Sequence, residues 1–334
     1  MTLISLFKQT NPKNANLLIQ GPDSFFNDYL VRNYLNQKSF SELDQVIVDC
    51  LEDGLDELMA TLTESSLFSN QKIVVVKNPF FLMAKVPQKY KKQVEKLTKI
   101  IEHLSDLEDV VVFVANYEKI DRRKIDRRKK ISKLLLEHVN VVETTFKPYE
   151  VSGIIKAISK EEGYQITNMA LQILIQRSDQ VLDVSLSNYV KLKNIVGEDK
   201  RITETLINEN IDRSLSENIF EILTAAFDKK YQEATQRLED HLREGASAIQ
   251  LLAIFESQLE FLTCVKVLQN RRWSKDQITK ELKVNPYRVK LALENKVSLS
   301  KLTVLLKQAI ELDFGYKNGT YHGDEFLKLF LLKI

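Results

Sequence analysis

Eight bases and two acids fill residues 119–130, a local charge of +6, and the tetrapeptide Asp-Arg-Arg-Lys occurs there twice, starting at Asp121 and Asp126. A second cluster, residues 85–99, holds six lysines and one glutamate. The whole chain carries only +2, with 48 Lys plus Arg against 46 Asp plus Glu. Any nucleic-acid contact therefore has to come from local patches rather than from a general polycation. Two patches of this density suit contact with a phosphate backbone without base reading. The candidate contacts in the first run are Arg122, Arg123, Arg127, Arg128, Lys129 and Lys130. A solvated helix face is the competing reading of either run.

Two further features stand above background. Ser65-Ser66-Leu67-Phe68-Ser69 follows a segment in which Leu55, Leu58, Met59 and Leu62 form an i, i+3, i+4, i+7 stripe. Continued at about 100° per residue, that helix would place Leu67 and Phe68 roughly 130° to either side of the stripe. Periodicity leaves two readings: the chain folds back and buries the pair, or the pair faces outward as an anchor for a pocket on a partner. Near the C-terminus, Tyr316 and Tyr321 lie in a stretch punctuated by Gly315 and Gly319, read as a loop over 314–321. Tyrosines so placed can stack on nucleobases, or simply form a structural turn.

Much chemistry is missing. A phosphate loop needs G-x-x-x-x-G-K-[ST], and none of the nine glycines is followed by lysine. After the first apolar run comes Gln20-Gly21-Pro22-Asp23-Ser24, with a proline that lacks an amide hydrogen and an acid facing the would-be phosphate. Lys77-Asn78 and Ala115-Asn116 follow two later runs and offer no carboxylate for magnesium. There is no G-x-G-x-x-G, G-x-S-x-G, H-E-x-x-H or C-x-x-C. Cys50 and Cys264 lie far apart, and the four histidines show no metal spacing, so no catalytic residue, cofactor or metal ligand is assigned. No apolar stretch approaches the ~20 residues that span a bilayer. The expectation is a reducing, cytoplasmic setting with no membrane contact.

The elements that must position these residues change character along 334 residues, enough for two or three domains. Nine glycines and six prolines are too few for a turn-rich sandwich or propeller. Residues 17–20, 46–48, 73–76, 110–114 and 139–142 are short, continuous and β-branched, the pattern of parallel strands buried on both faces. Helical segments at 23–37, 55–62, 89–104 and 129–138 alternate with them, which predicts a doubly wound α/β domain. Beyond Pro148 no comparable strand follows. Helices are expected at 151–162, 167–176, 181–196 and 203–208, with Gly163 and Gly197 at C-cap positions. Longer ones follow at 217–227, 231–244, 248–268, 275–282, 286–293, 299–314 and 323–332. The segment 248–268 is apolar on nearly every side and must be buried in a bundle or in a subunit interface.

Taken in order along the chain, several segments resemble the delta subunit of the bacterial DNA polymerase III clamp loader. They include Leu17-Leu18-Ile19-Gln20-Gly21-Pro22-Asp23-Ser24-Phe25, the run from Leu67-Phe68-Ser69 through Ile73-Val74-Val75-Val76-Lys77-Asn78, and Asp126-Arg127-Arg128-Lys129-Lys130. Glu162-Gly163-Tyr164-Gln165-Ile166, Asn285-Pro286-Tyr287-Arg288-Val289-Lys290, and Leu312-Asp313 leading to Lys317-Asn318-Gly319 continue the likeness. The chain departs from the family pattern at Asp23, where Glu is usual, at Ser187-Asn188-Tyr189-Val190-Lys191-Leu192, and in the doubling of the basic motif.

The resemblance implies an AAA+-like domain at 1–147 without a working phosphate loop, a small helical lid at 148–212 and a helical collar for oligomerisation at 213–334. It implies a subunit that hydrolyses nothing itself but belongs to the polymerase holoenzyme. Its partners would be the beta sliding clamp, the tau/gamma ATPase subunits, the delta-prime subunit and primed DNA. Carried over to this sequence, the clamp anchor is Leu67 and Phe68. Two other classes compete: a stand-alone basic nucleic-acid-binding scaffold, and an ATPase or phosphotransferase with an unorthodox loop.

Overall fold

The computed structural model describes residues 2–11, 15–64, 71–120 and 124–334. It divides into two compact units, residues 1–146 with 160–163, and residues 147–159 with 164–334.

In the first unit the five apolar runs form β1 Leu17–Gly21, β2 Asp44–Asp49, β3 Lys72–Lys77, β4 Val110–Asn116 and β5 Asn140–Glu143. All are parallel, in the order β2-β3-β4-β1-β5. Parallel neighbours require crossovers, and these are α1 Ser24–Leu35, α2 Gly54–Thr63, α3 Lys91–Glu102, α4 Tyr117–Ile120 and α5 Lys130–His138. Leu18, Val74, Val76, Val111 and Phe113 close one core with Leu58 and Leu62 of α2, Leu97 and Ile101 of α3, and Leu135 of α5. Alternate residues point to the other face, where α1 packs on β1 and β4. This is the doubly wound, parallel α/β arrangement that the sequence predicts.

The expectation that every strand is covered on both faces needs correction. β1 and β4 are buried throughout, but in β2 only Val48 is buried, and Ile47 is 60 % exposed. β2 is an edge strand, with a neighbour on one side only, and its apolar run does not report that.

The second unit is helical: α6 Val151–Glu161, α7 Asn168–Arg177, α8 Leu182–Ile195, α9 Glu204–Asn210, α10 Leu215–Phe227, α11 Tyr231–Arg243, α12 Ala248–Asn270, α13 Lys275–Leu282, α14 Pro286–Glu294, α15 Leu299–Lys317 and α16 Glu325–Lys333. Starts follow side-chain chemistry. Ser214, Ser247, Ser274 and Ser298 each accept a hydrogen bond from the backbone N–H three residues on. Asn285 accepts from Tyr287 N ahead of the N1 proline Pro286. The nearly all-apolar helix α12 packs against α10, α14 and α15, which settles it as a bundle element.

Three local expectations are revised. β6 Gln165–Ile166 and β7 Arg201–Ile202 pair in parallel, a ladder too short to leave a periodic signal. Gly163 ends α6 in the left-handed region at φ 79°, whereas Gly197 does not, because extended Val196 ends α8. Most important, the expected loop at 314–321 is helix up to Lys317.

Candidate functional site

At the carboxyl ends of β1, β3 and β4, where an open doubly wound sheet would hold a ligand, side-chain amides fill the space. Asn27 of α1, fully buried, donates from Nδ2 to Asn116 Oδ1 at 2.8 Å and, more weakly, to the Gly21 carbonyl at 3.4 Å. Thr144 Oγ1 donates to Asn27 Oδ1 at 2.5 Å and to the Gln20 carbonyl at 3.1 Å. Asn78, with φ 51°, reaches from the end of β3 and donates to Asp49 Oδ2 at 2.7 Å. The backbone bend that could have cradled a phosphate is closed as well. A Cβ on Gly21 would stand 1.9 Å from Thr144 Oγ1. Asp23 caps α1, its Oδ1 accepting from Phe26 N at 2.9 Å, so a carboxylate occupies the amide a phosphate oxygen would need. The chemistry available here is neutral hydrogen bonding plus two carboxylates, Asp23 and Asp49, with no lysine or arginine among the groups named.

The basic run begins beside this position, along an open groove of about 770 Å³ lined by Pro22, Ser24, Tyr117, Glu118, Lys119, Lys124 and Thr145. Arg127 and Lys124 both bridge to Glu143, at 2.7 and 3.6 Å. Arg128, 89 % exposed, forks onto Asp126, holding its carboxyl down at about 2. Lys129 turns inward. Its Nζ donates to the carbonyls of Phe81 and Met83, both at 2.9 Å, while Asp126 N donates to the Leu82 carbonyl between them at 2.9 Å. Burial pulls the Lys129 ammonium below its ordinary value, with Asp126 opposing. Lys130 opens α5 and is exposed.

A model of the family described as DNA polymerase III, delta subunit matches residues 26–145, and one described as DNA polymerase III delta subunit, C-terminal domain, matches residues 216–334. The chain belongs to the DNA polymerase III delta subunit family. It is similar to DNA polymerase III subunit delta of Bacillus subtilis (strain 168), 28% identical over 322 residues that cover 92% of this chain and 91% of that one. Among solved structures it is similar to the Bacillus subtilis DNA clamp loader delta protein, with TM-score 0.55 and 26% identity, covering 98% of this chain and 97% of the other.

For this delta-family chain the site residues read from the sequence fare unequally. Leu67, Phe68, Arg122 and Arg123 lie outside the described residues. Arg127, Arg128, Lys129 and Lys130 come together at the start of α5, with the ammonium of half-buried Lys129 engaged by the Phe81 and Met83 carbonyls. Tyr316 sits in the last turn of α15 with its ring 5.3 Å from Phe326, and Tyr321 lies 6.1 Å from the same ring. Gly315 makes that packing possible, since a Cβ there would stand 2.4 Å from the Tyr321 ring. Tyr316 is therefore a packing group rather than a free stacking platform, while Tyr321 keeps 40 % exposure. The sequence registers Asn78 and Asn116 only as missing carboxylates. Asn27 and Thr144, 117 residues apart, carry no local signal of their partnership. Among the described residues no cluster of three or more His, Cys, Asp or Glu could hold a metal ion, and no helix is long and apolar enough to cross a membrane.

Proposed function

We propose that this chain is the non-catalytic, clamp-binding subunit of a DNA polymerase III clamp loader. It binds the beta sliding clamp, holds one ring interface open and helps place the ring on primed DNA, while tau/gamma subunits hydrolyse the ATP. The observation that carries this reading is the filled nucleotide position, Asn27 with Thr144, Asn116 and Asp23, on an AAA+-like sheet in a delta-family chain. A subunit so built contributes binding and leverage, not hydrolysis. Residues 148–212 act as the lid and 213–334 as the collar that joins the delta-prime and ATPase subunits. Arg122, Arg123, Arg127, Arg128, Lys130 and Tyr321 form the DNA-facing set, in a cytoplasmic replisome.

Leu67 and Phe68 are the clamp anchor. Burying the two side chains on a partner contributes about 1.5–3 kcal/mol each. Leu67→Ala with Phe68→Ala should therefore weaken clamp binding by on the order of a hundredfold or more. The assay pairs clamp affinity by surface plasmon resonance with the thermal midpoint of the same protein. Lost affinity with an intact midpoint supports the anchor, and unchanged affinity or a collapsed midpoint refutes it. Calorimetric titration with magnesium and ATP tests the filled site, and micromolar binding would revive the enzyme reading.

A further inference from the structure

The second basic cluster, residues 85–99, has no role in the function proposed above, and the fold gives it one. Lys92, Lys96 and Lys99 of α3 fall within a sector of about 60° at the helical repeat. Leu97 and Ile101, the buried residues of α3, lie on its opposite side, so the lysine stripe faces solvent. Lys85, Lys89 and Lys91 are exposed at the approach to it. α3 packs beside α5, where Lys130 and Lys133 are exposed, and both helices begin at the carboxyl end of the sheet. Some lysines of the chain have a carboxylate within 4 Å, among them Lys72, Lys77 and Lys124 in the first unit. Among the described residues the α3 stripe lysines, Lys130 and Lys133 have none.

The neighbouring surface has the opposite sign. Residues 42–57 hold seven acids and no base, and they include the first turn of α2, which flanks α3 on the side away from α5. A polyanion is thus attracted to one half of this helical layer and repelled from the other. Exposed lysine ammonium groups on a helix face suit phosphates rather than base edges. Lys129 and Asp126 clasp the start of α5 to the carbonyls of Phe81, Leu82 and Met83, just before the lysine cluster, which holds the two basic segments side by side.

We propose that the outer face of α3 and α5 binds the sugar–phosphate backbone of duplex nucleic acid through Lys92, Lys96, Lys99, Lys130 and Lys133, with Lys129 as a positioning residue that touches no phosphate. The inference rests on the reading that this chain meets duplex DNA, but not on the arginines between 122 and 128. The test uses the full chain with a fluorescent primed duplex and, separately, a polyglutamate probe. In Lys92→Gln, Lys96→Gln, Lys99→Gln protein the duplex affinity should fall about tenfold, and the slope of log affinity against log salt should flatten by about 0.9 per lysine. An unchanged slope overturns the proposal. Arg127→Ala with Arg128→Ala is measured alongside. Loss there alone overturns the lysine surface and leaves the arginine reading standing, and loss in the lysine variant alone does the reverse. Loss of polyglutamate binding with duplex binding intact assigns the face to an acidic protein and also overturns the proposal. Amine acetylation of the unaltered chain supplies an independent readout. Duplex should protect Lys92, Lys96 and Lys99, whereas Lys129 should stay unreactive with or without it. Stripe lysines that remain reactive, or a reactive Lys129, refute their assigned roles.

Discussion

Replacing Asn27 by alanine should unfold the first unit early, and the cost can be worked from its partners. Asn116 Oδ1 loses a donor at 2.8 Å and the Gly21 carbonyl a weaker one at 3.4 Å, both in a buried setting. An orphaned buried group costs about 1–3 kcal/mol, and discounting the longer bond leaves about 2–4 kcal/mol. At about 2–4 °C per kcal/mol for a unit of this size, the midpoint should drop by roughly 5–15 °C. Thr144→Val keeps the shape and removes one hydroxyl, so only Asn27 Oδ1 is orphaned, at about 1–3 kcal/mol. The chain carries its own reporters. Cys50 is 1 % exposed in the first unit, and the single tryptophan, Trp273, belongs to the second. In a Cys264→Ser background, thiol labelling across a urea series reads the first unit and tryptophan fluorescence the second. The Cys50 midpoint should move in Asn27→Ala protein while the Trp273 midpoint stays. A Cys50 shift worth less than about 1 kcal/mol, or a Thr144→Val loss larger than that of Asn27→Ala, would refute the idea that this network holds the strand ends together.

Alkaline pH should act on the same unit, because burial pushes Cys50 from 9.0, and Tyr34 and Tyr117 from 10.0, up to about 12. Between those values only the unfolded chain releases the protons, so stability is complete below pH 9 and falls as pH rises toward 12, by up to about 1.4 kcal/mol per pH unit for each group. Urea midpoints from circular dichroism at about pH 8 and about pH 10.5 check this, and equal midpoints contradict it. In the second unit, Arg177 is buried and donates from Nη1 to the carbonyls of Ile207, Asn208 and Ile211 and from Nη2 to Asn208 Oδ1 at 2.6 Å. Arg177→Met strands those acceptors and should cost about 3–5 kcal/mol, lowering the Trp273 midpoint but not that of Cys50, and a loss below about 1 kcal/mol refutes the account.

Legibility in the sequence followed the range of the interactions. Short β-branched runs located all five strands, and apolar periods located the long helices, because both signals act within a few residues. The end of α15 escaped because its stop depends on Tyr321 folding back over Gly315 onto Phe326, a packing event that Gly315 permits but does not announce. The edge position of β2 escaped for a similar reason, since a run such as Val46-Ile47-Val48 looks the same whether one neighbour or two lies beside it.

By itself the sequence determined that this chain has an α/β half and a helical half, that no phosphate-loop lysine is present, and that the positive charge is concentrated in two runs. Tertiary structure alone decided which of those charges are available. Lys129 spends its ammonium on two carbonyls, Arg127 and Arg128 are shared with Glu143 and Asp126, and the α3 stripe has no carboxylate partner among the described residues. It also decided what fills the nucleotide position, by bringing Asn27, Asn116 and Thr144 to one point at the ends of parallel strands. The physical reason is common to both. A charge or amide is defined chemically by its residue, but its free energy depends on the partner within about 3 Å, and that partner comes from a distant part of the chain.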